Sequence, residues 1–187
     1  MKQGVKFFIL TVLLIGVFVG AYFAYQALRG DGSAEITKAT ESTTSAVHES
    51  GKAADFTAVD AEGNDVKLSD YFGKPTVVNF WASWCGYCVK EMPLFEQKYK
   101  EEGEKINILM VNLTDGDREP LKKAKEFLKE GGYTFPVLYD SYAQALNAYE
   151  CYSIPVTVFI HSDGTLLEKH IGVLDAETFA QKCAQLH

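Results

Sequence analysis

Between Val77 and Pro93 the sequence changes its period once. Val77-Val78-Asn79-Phe80-Trp81 is an apolar run rich in β-branched and aromatic residues, the pattern of a buried strand. From Cys85, through Gly86-Tyr87-Cys88-Val89-Lys90-Glu91-Met92, the spacing becomes helical. Both cysteines therefore fall where a strand hands over to a helix. There the first backbone N–H groups have no partner inside the helix and the dipole is positive, so a thiolate is favoured on Cys85. Cys88, three residues on, returns to the same face, close enough to attack a mixed disulfide on Cys85 and release the partner. Such a pair exchanges two electrons with other thiols. Half of a zinc site is the other reading of this spacing, but two more ligands are then needed nearby. The nearest other cysteine is Cys151, and His48, His161, His170 and His187 do not cluster. No metal and no organic cofactor is expected.

With 187 residues, 47% of them hydrophobic, the chain can fill one well-packed core. A net charge of −7 and the absence of any Lys/Arg-rich run exclude a nucleic-acid surface.

Residues 1–29 are of different material. Phe7 to Tyr25 are 19 residues without a charge, preceded by Lys2 and Lys6. That is the length that crosses a hydrocarbon core of about 30 Å. The basic flank predicts a single-pass anchor with its N-terminus in the cytoplasm and everything after Arg29 outside. A cleaved signal ending at Val19-Gly20-Ala21 is the alternative, but the apolar run continues to Leu28. No cysteine near the end of the span could carry a lipid. Residues 30–54 are Gly, Ser, Thr, Ala and Glu with almost no large apolar side chain, and read as a flexible tether. The folded domain is expected over residues 55–187.

Within it, Phe56 to Val59 and Val66 to Leu68 flank the turn Glu62-Gly63-Asn64 as a hairpin. A strand over Thr76–Trp81 and a helix from about Cys85 to Glu102, kinked at Pro93, come next. Strand Ile106–Leu113 leads to a turn at Asp115-Gly116-Asp117. Glu119-Pro120 opens a helix to about Glu130, with Leu121, Ala124, Phe127 and Leu128 on one face and Lys122, Lys123, Lys125 and Lys129 elsewhere, stopped by Gly131-Gly132. A short strand Val137–Tyr139, a short helix Ala143–Tyr149, a hairpin of Val156–Ile160 with Leu166–Ile171, and a last helix Asp175–Leu186 complete a three-layer α/β/α domain around a central mixed sheet.

The run Phe80-Trp81-Ala82-Ser83-Trp84-Cys85-Gly86-Tyr87-Cys88, Pro93, and the later Ile154-Pro155-Val156-Thr157 resemble the thioredoxin fold. The N-terminal anchor and tether, Asn79, Glu91 and the extra helix Glu119–Glu130 resemble, more narrowly, the membrane-anchored thioredoxin-like proteins of the TlpA and ResA type. These act outside the cytoplasm and include those of cytochrome c biogenesis. The resemblance implies a cis Ile154–Pro155 bond beside the cysteines, with the Ile154 N–H and C=O free to pair with a substrate segment. It implies a substrate-facing surface made by Trp84, Gly86, Tyr87, Ile154 and Pro155. The substrates would be exported disulfide-bearing proteins, such as apocytochrome c or a methionine sulfoxide reductase. The electron donor would be a transmembrane thiol carrier, and the domain would be a monomer in a prokaryotic cell membrane.

Thioredoxins of the cytoplasm carry a buried Asp at the position of Asn79, and an amide cannot take a proton from Cys88. Glu91, three residues after Cys88 on its helical face, is the candidate base, and a solvated Glu beside Lys90 is the alternative. Tyr87 stands where thioredoxins have Pro, and stacks on a partner or shields Cys88. Cys151 and Cys183 read as buried thiols, with a redox role for Cys151 left open by its nearness to Pro155. The expected activity is disulfide reduction, with Cys85 attacking, Cys88 resolving and Glu91 handling the proton. An oxidase, and a tethered binding module with the pair locked, are the alternatives. A peroxiredoxin would need Pro and Thr ahead of a single nucleophilic Cys.

Overall fold

The computed structural model describes residues 16, 18–20, 22 and 51–186. The five N-terminal ones are helical and exposed. The rest of the expected anchor and the tether up to residue 50 lie outside the described residues. Among the described residues no helix is long and apolar enough to cross a membrane.

The domain is a seven-stranded mixed sheet in the order β2-β1-β5-β4-β3-β6-β7. Its strands are β1 Thr57–Val59, β2 Asp65–Lys67, β3 Thr76–Trp81, β4 Asn107–Asn112, β5 Val137–Tyr139, β6 Val156–Ile160 and β7 Leu166–Ile171. The helices are α1 Gly86–Glu102, α2 Leu121–Gly131, α3 Gln144–Ala148 and α4 Ala176–Cys183. Strand β3 pairs in parallel with β4 and antiparallel with β6, so it is fully buried, which is why its sequence is continuous rather than alternating in polarity.

The two faces of this sheet build two cores. Val77, Trp81, Ile108, Met110 and Phe159 point to one face, where Met92 and Phe95 of α1, Ala124 and Leu128 of α2 and Phe179 of α4 pack. Val78, Phe80, Leu109, Val111 and Val158, their alternates in sequence, point to the other, against Phe56, Leu68, Ala145 and Tyr149. Three layers follow from this period of two. Helix α1 runs through Pro93 without ending.

Three boundaries differ from expectation. Leu68 ends the first hairpin as part of a 3-10 turn, Leu68–Tyr71, with its side chain fully buried. Residues 51–54, read as the end of the tether, already belong to the domain. Lys52 bridges to Thr165, and the Ala53 N–H donates to the Gly164 carbonyl at 2.9 Å. Gly164, at φ +83°, has no room for a side chain beside the Phe72 ring. Leu121, expected on the inner face of α2, is exposed, because the helix begins only there and its buried stripe starts one turn later at Ala124.

Candidate active site

Cys85 caps the N-terminus of α1. Its extended backbone (φ −87°, ψ 102°) turns the sulfur back over the helix, where it accepts the Cys88 N–H at 3.2 Å. Cys85 and Cys88 form a disulfide, with Cα atoms 5.3 Å apart. The orphan N–H that favours an anionic sulfur is thus a visible contact of this site. Cys85 retains a small exposed surface, whereas Cys88 is wholly buried, so an approaching disulfide meets Cys85 first.

Opposite the pair lies the cis Ile154–Pro155 bond. The Ile154 carbonyl oxygen is 3.6 Å from the Cys85 sulfur, and the Pro155 carbonyl accepts the Gly172 N–H at 2.9 Å, tying the turn to the end of β7. Gly86 and Tyr87 are exposed at the first turn of α1, and Trp84 is 40% exposed just before it. Trp84, Ile154, Leu113, Leu146, Cys151 and Tyr152 help to line an open groove of about 490 Å³ beside the disulfide. Trp81, in contrast, is a core residue whose ring packs at a tilt of 40° against Phe127 of α2, with ring centroids 5.6 Å apart.

Behind the cysteines, Glu91 is not a solvated neighbour of Lys90. It is 3% exposed on the inner face of α1. Its Oε1 accepts the Asn79 amide at 2.8 Å and its Oε2 accepts the Leu174 N–H at 3.0 Å. The same Asn79 Nδ2 reaches Thr157 Oγ1 at 3.0 Å, and among the described residues Asn79 Oδ1 has no partner. Burial pushes the Glu91 carboxyl up from the ordinary carboxylate range, against the pull of the two hydrogen bonds that favour its anion. This raised carboxyl lies three residues after Cys88 on the same helix.

Two residues of the site were not legible in the sequence. Glu119, fully buried, accepts the Ser83 N–H at 2.6 Å, the Ser83 hydroxyl at 2.7 Å and the Asn112 side-chain amide at 2.8 Å. It clamps the segment that leads into Trp84 and Cys85. Next to it, Arg118 lays its guanidinium carbon 3.7 Å from the centroid of the Trp84 ring. The only sequence signal was the position of both residues at the head of the extra helix. Cys151 and Cys183 are free, buried thiols. Burial pushes each up to about 12.

The family described as AhpC/TSA matches residues 50–169. A thiol-disulfide oxidoreductase ResA of Geobacillus kaustophilus is 36% identical over 74% of this chain and 76% of its own length. The protein of the same name from Bacillus subtilis is 30% identical over 93% of this chain and 89% of its own. Among solved structures, the pneumococcal exposed lipoprotein thioredoxin Etrx1 of Streptococcus pneumoniae superimposes with a TM-score of 0.64 at 31% identity, covering 71% of this chain and 100% of that one.

Proposed function

The chain belongs to the AhpC/TSA family as a thioredoxin-like thiol-disulfide oxidoreductase, and from that premise we propose that it reduces disulfides in exported proteins from a tether at the cell membrane. The observation that carries the reading is the Cys85 sulfur at the head of α1, facing the Ile154 carbonyl, with the buried Glu91 behind Cys88.

The thiolate of Cys85 attacks one sulfur of the partner's disulfide and forms a mixed disulfide, and the partner's other sulfur leaves as a thiolate. Cys88 gives its proton to Glu91 and attacks the Cys85 sulfur. The second partner thiol leaves, and the two electrons it carries away are those lost in making the Cys85–Cys88 bond. During the mixed disulfide an extended partner segment pairs with the Ile154 backbone and lies over Trp84, Gly86, Tyr87 and Pro155.

The likeness to a protein described as an exposed lipoprotein thioredoxin, Etrx1, and the uncharged run Phe7–Tyr25 after Lys2 and Lys6 support a site of action outside the cytoplasm. In such a place electrons come from a thiol carrier that spans the membrane. The substrate is an exported protein such as apocytochrome c or a methionine sulfoxide reductase, and the domain works as a monomer.

Equilibration of the pair against glutathione tests the direction. A potential near thioredoxin's, about −270 mV, supports reduction, and one near about −120 mV makes the chain an oxidant. Failure to accelerate insulin reduction by dithiothreitol would leave a binding module with a locked disulfide.

A further inference from the structure

Each of the two exposed aromatic rings that neighbour the cysteines carries a cation. Arg118 stands over Trp84 at 3.7 Å, and the Lys90 ammonium lies 5.3 Å from the centroid of Tyr87. Acidic residues outnumber basic ones 25 to 18 in this chain. Yet among the described residues neither cation has a carboxylate within 4 Å, while Lys98, Lys100, Lys123 and Lys182 each do.

Among the described residues Arg118 makes no ion-pair contact within 4 Å; the turn it projects from is fixed by its neighbours, and Asp115 of that turn feels its charge at longer range. Glu119 is buried against Ser83, and Asp115 Oδ1 accepts the N–H groups of Asp117 at 2.9 Å and Glu119 at 2.7 Å, which fixes the turn from which Arg118 projects. That Asp115 oxygen is thereby committed to the backbone. Asp140, on the wall of the adjacent groove, is buried, with its two oxygens on the N–H groups of Ala145 and Leu146. Asp140 is thus engaged, Asp115 keeps its second oxygen exposed on the groove wall within the field of Arg118, and the two cations on the rim are exposed with no carboxylate in ion-pair contact among the described residues.

A partner must bring a sulfur to Cys85, so the residues flanking its cysteine pass over Trp84 and Tyr87. Given the thiol exchange proposed above, on which this rests, we infer that the Arg118 and Lys90 rim selects protein substrates with an aspartate or glutamate next to the reacting cysteine. The guanidinium edge presents a planar fork of donors that matches a carboxylate, and the aromatic ring beneath leaves that edge free.

The test uses the full chain, reduced at Cys85 and Cys88 and freed of reductant. Three short peptides, each a dimer joined by one disulfide, differ only in the residue beside the cysteine: Asp, Asn or Lys. Each reaction oxidises the protein's dithiol and releases two peptide thiols, which are counted after acid quenching. The Asp peptide is expected to react about two- to fivefold faster than the Asn peptide, the worth of an exposed ion pair, and the Lys peptide slower than both. The Asp preference should fall toward unity in Arg118→Gln and in high salt, and return in Arg118→Lys. Equal rates for the three peptides, or a preference for Lys, overturn the selection while leaving the exchange chemistry intact. If no peptide is reduced, the functional reading falls and this inference with it.

Discussion

Asn79 and Glu91 meet across the seam between β3 and α1, the amide donating to the carboxyl oxygen at 2.8 Å in a place closed to solvent. The amide supplies no charge, so the one ionisable group in that contact is Glu91. Removing it as Glu91→Gln is expected to slow disulfide reduction by about a hundredfold or more. The base must be ionised to act, so the wild-type rate should rise with pH through the raised pKa of Glu91, and the variant should lose that rise. Stability carries the opposite sign. Because the folded carboxyl titrates above the unfolded one, its contribution is complete below the unfolded pKa and is lost as pH rises through the folded pKa. Urea midpoints across this range should fall for the wild type and stay flatter for the variant.

Asn79→Asp sets a second carboxyl beside the first. Two acids at that distance share a proton, and one of them titrates well above its usual range. The rise of rate with pH should move to higher pH than in the wild type, and an unchanged profile would mean that Asn79 does not act on Glu91.

Cys88→Ser removes the resolving sulfur from its buried position. A disulfide-bearing protein substrate should then accumulate as a stable adduct on Cys85, visible by non-reducing electrophoresis and cleared by dithiothreitol. Cys85→Ser should give no adduct, since Cys88 is closed to the partner.

Glu119→Ala strips the acceptor from both donors of Ser83 and from the Asn112 amide. A loss of about 3 kcal/mol in unfolding free energy is expected. Glu119→Gln, which keeps one acceptor oxygen, should recover part of it.

The two spare thiols should be silent in the folded chain. With each pushed up to about 12, they are almost wholly protonated at neutral pH, and both are buried. Iodoacetamide applied to the reduced native protein should label Cys85, and should reach Cys151 and Cys183 only after unfolding. Labelling of Cys151 in the native state would reopen a redox role for it.

Much of the fold was legible because its signals are local. The continuous apolar run of β3, the change of period at Cys85, the glycine turns and the inner stripe of α4 at Phe179 and Cys183 appear as read, although α4 stops at Cys183 and Leu186 is buried beyond its end. The cis bond at Pro155 came from resemblance and is present. What escaped depends on pairs far apart in sequence. Glu119 and Ser83 are 36 residues apart, and nothing in either segment says that a buried carboxylate closes one on the other. The stacking of Arg118 on Trp84 has the same origin. Residues 51–54 looked like tether by composition, since a strand edge held by backbone hydrogen bonds needs no large side chain. Glu91 could be read either way from α1 alone, and in the fold it is buried with its Oε2 on the N–H of Leu174, 83 residues further along the chain.

The sheet that divides the two cores also separates the two spare thiols from each other. Cys151 belongs to one face and Cys183 to the other. Cys183, near Lys98 and Glu102, sits by the last turn of α1, roughly 15–20 Å along the helix from the reactive pair at its head. Of the four cysteines, Cys183 shares the core of the reactive pair but lies at the far end of α1, and Cys151 lies across the sheet, buried in the wall of the groove. For Cys183 the length of one helix, and for Cys151 burial, stands between a spare thiol and the exchanging pair.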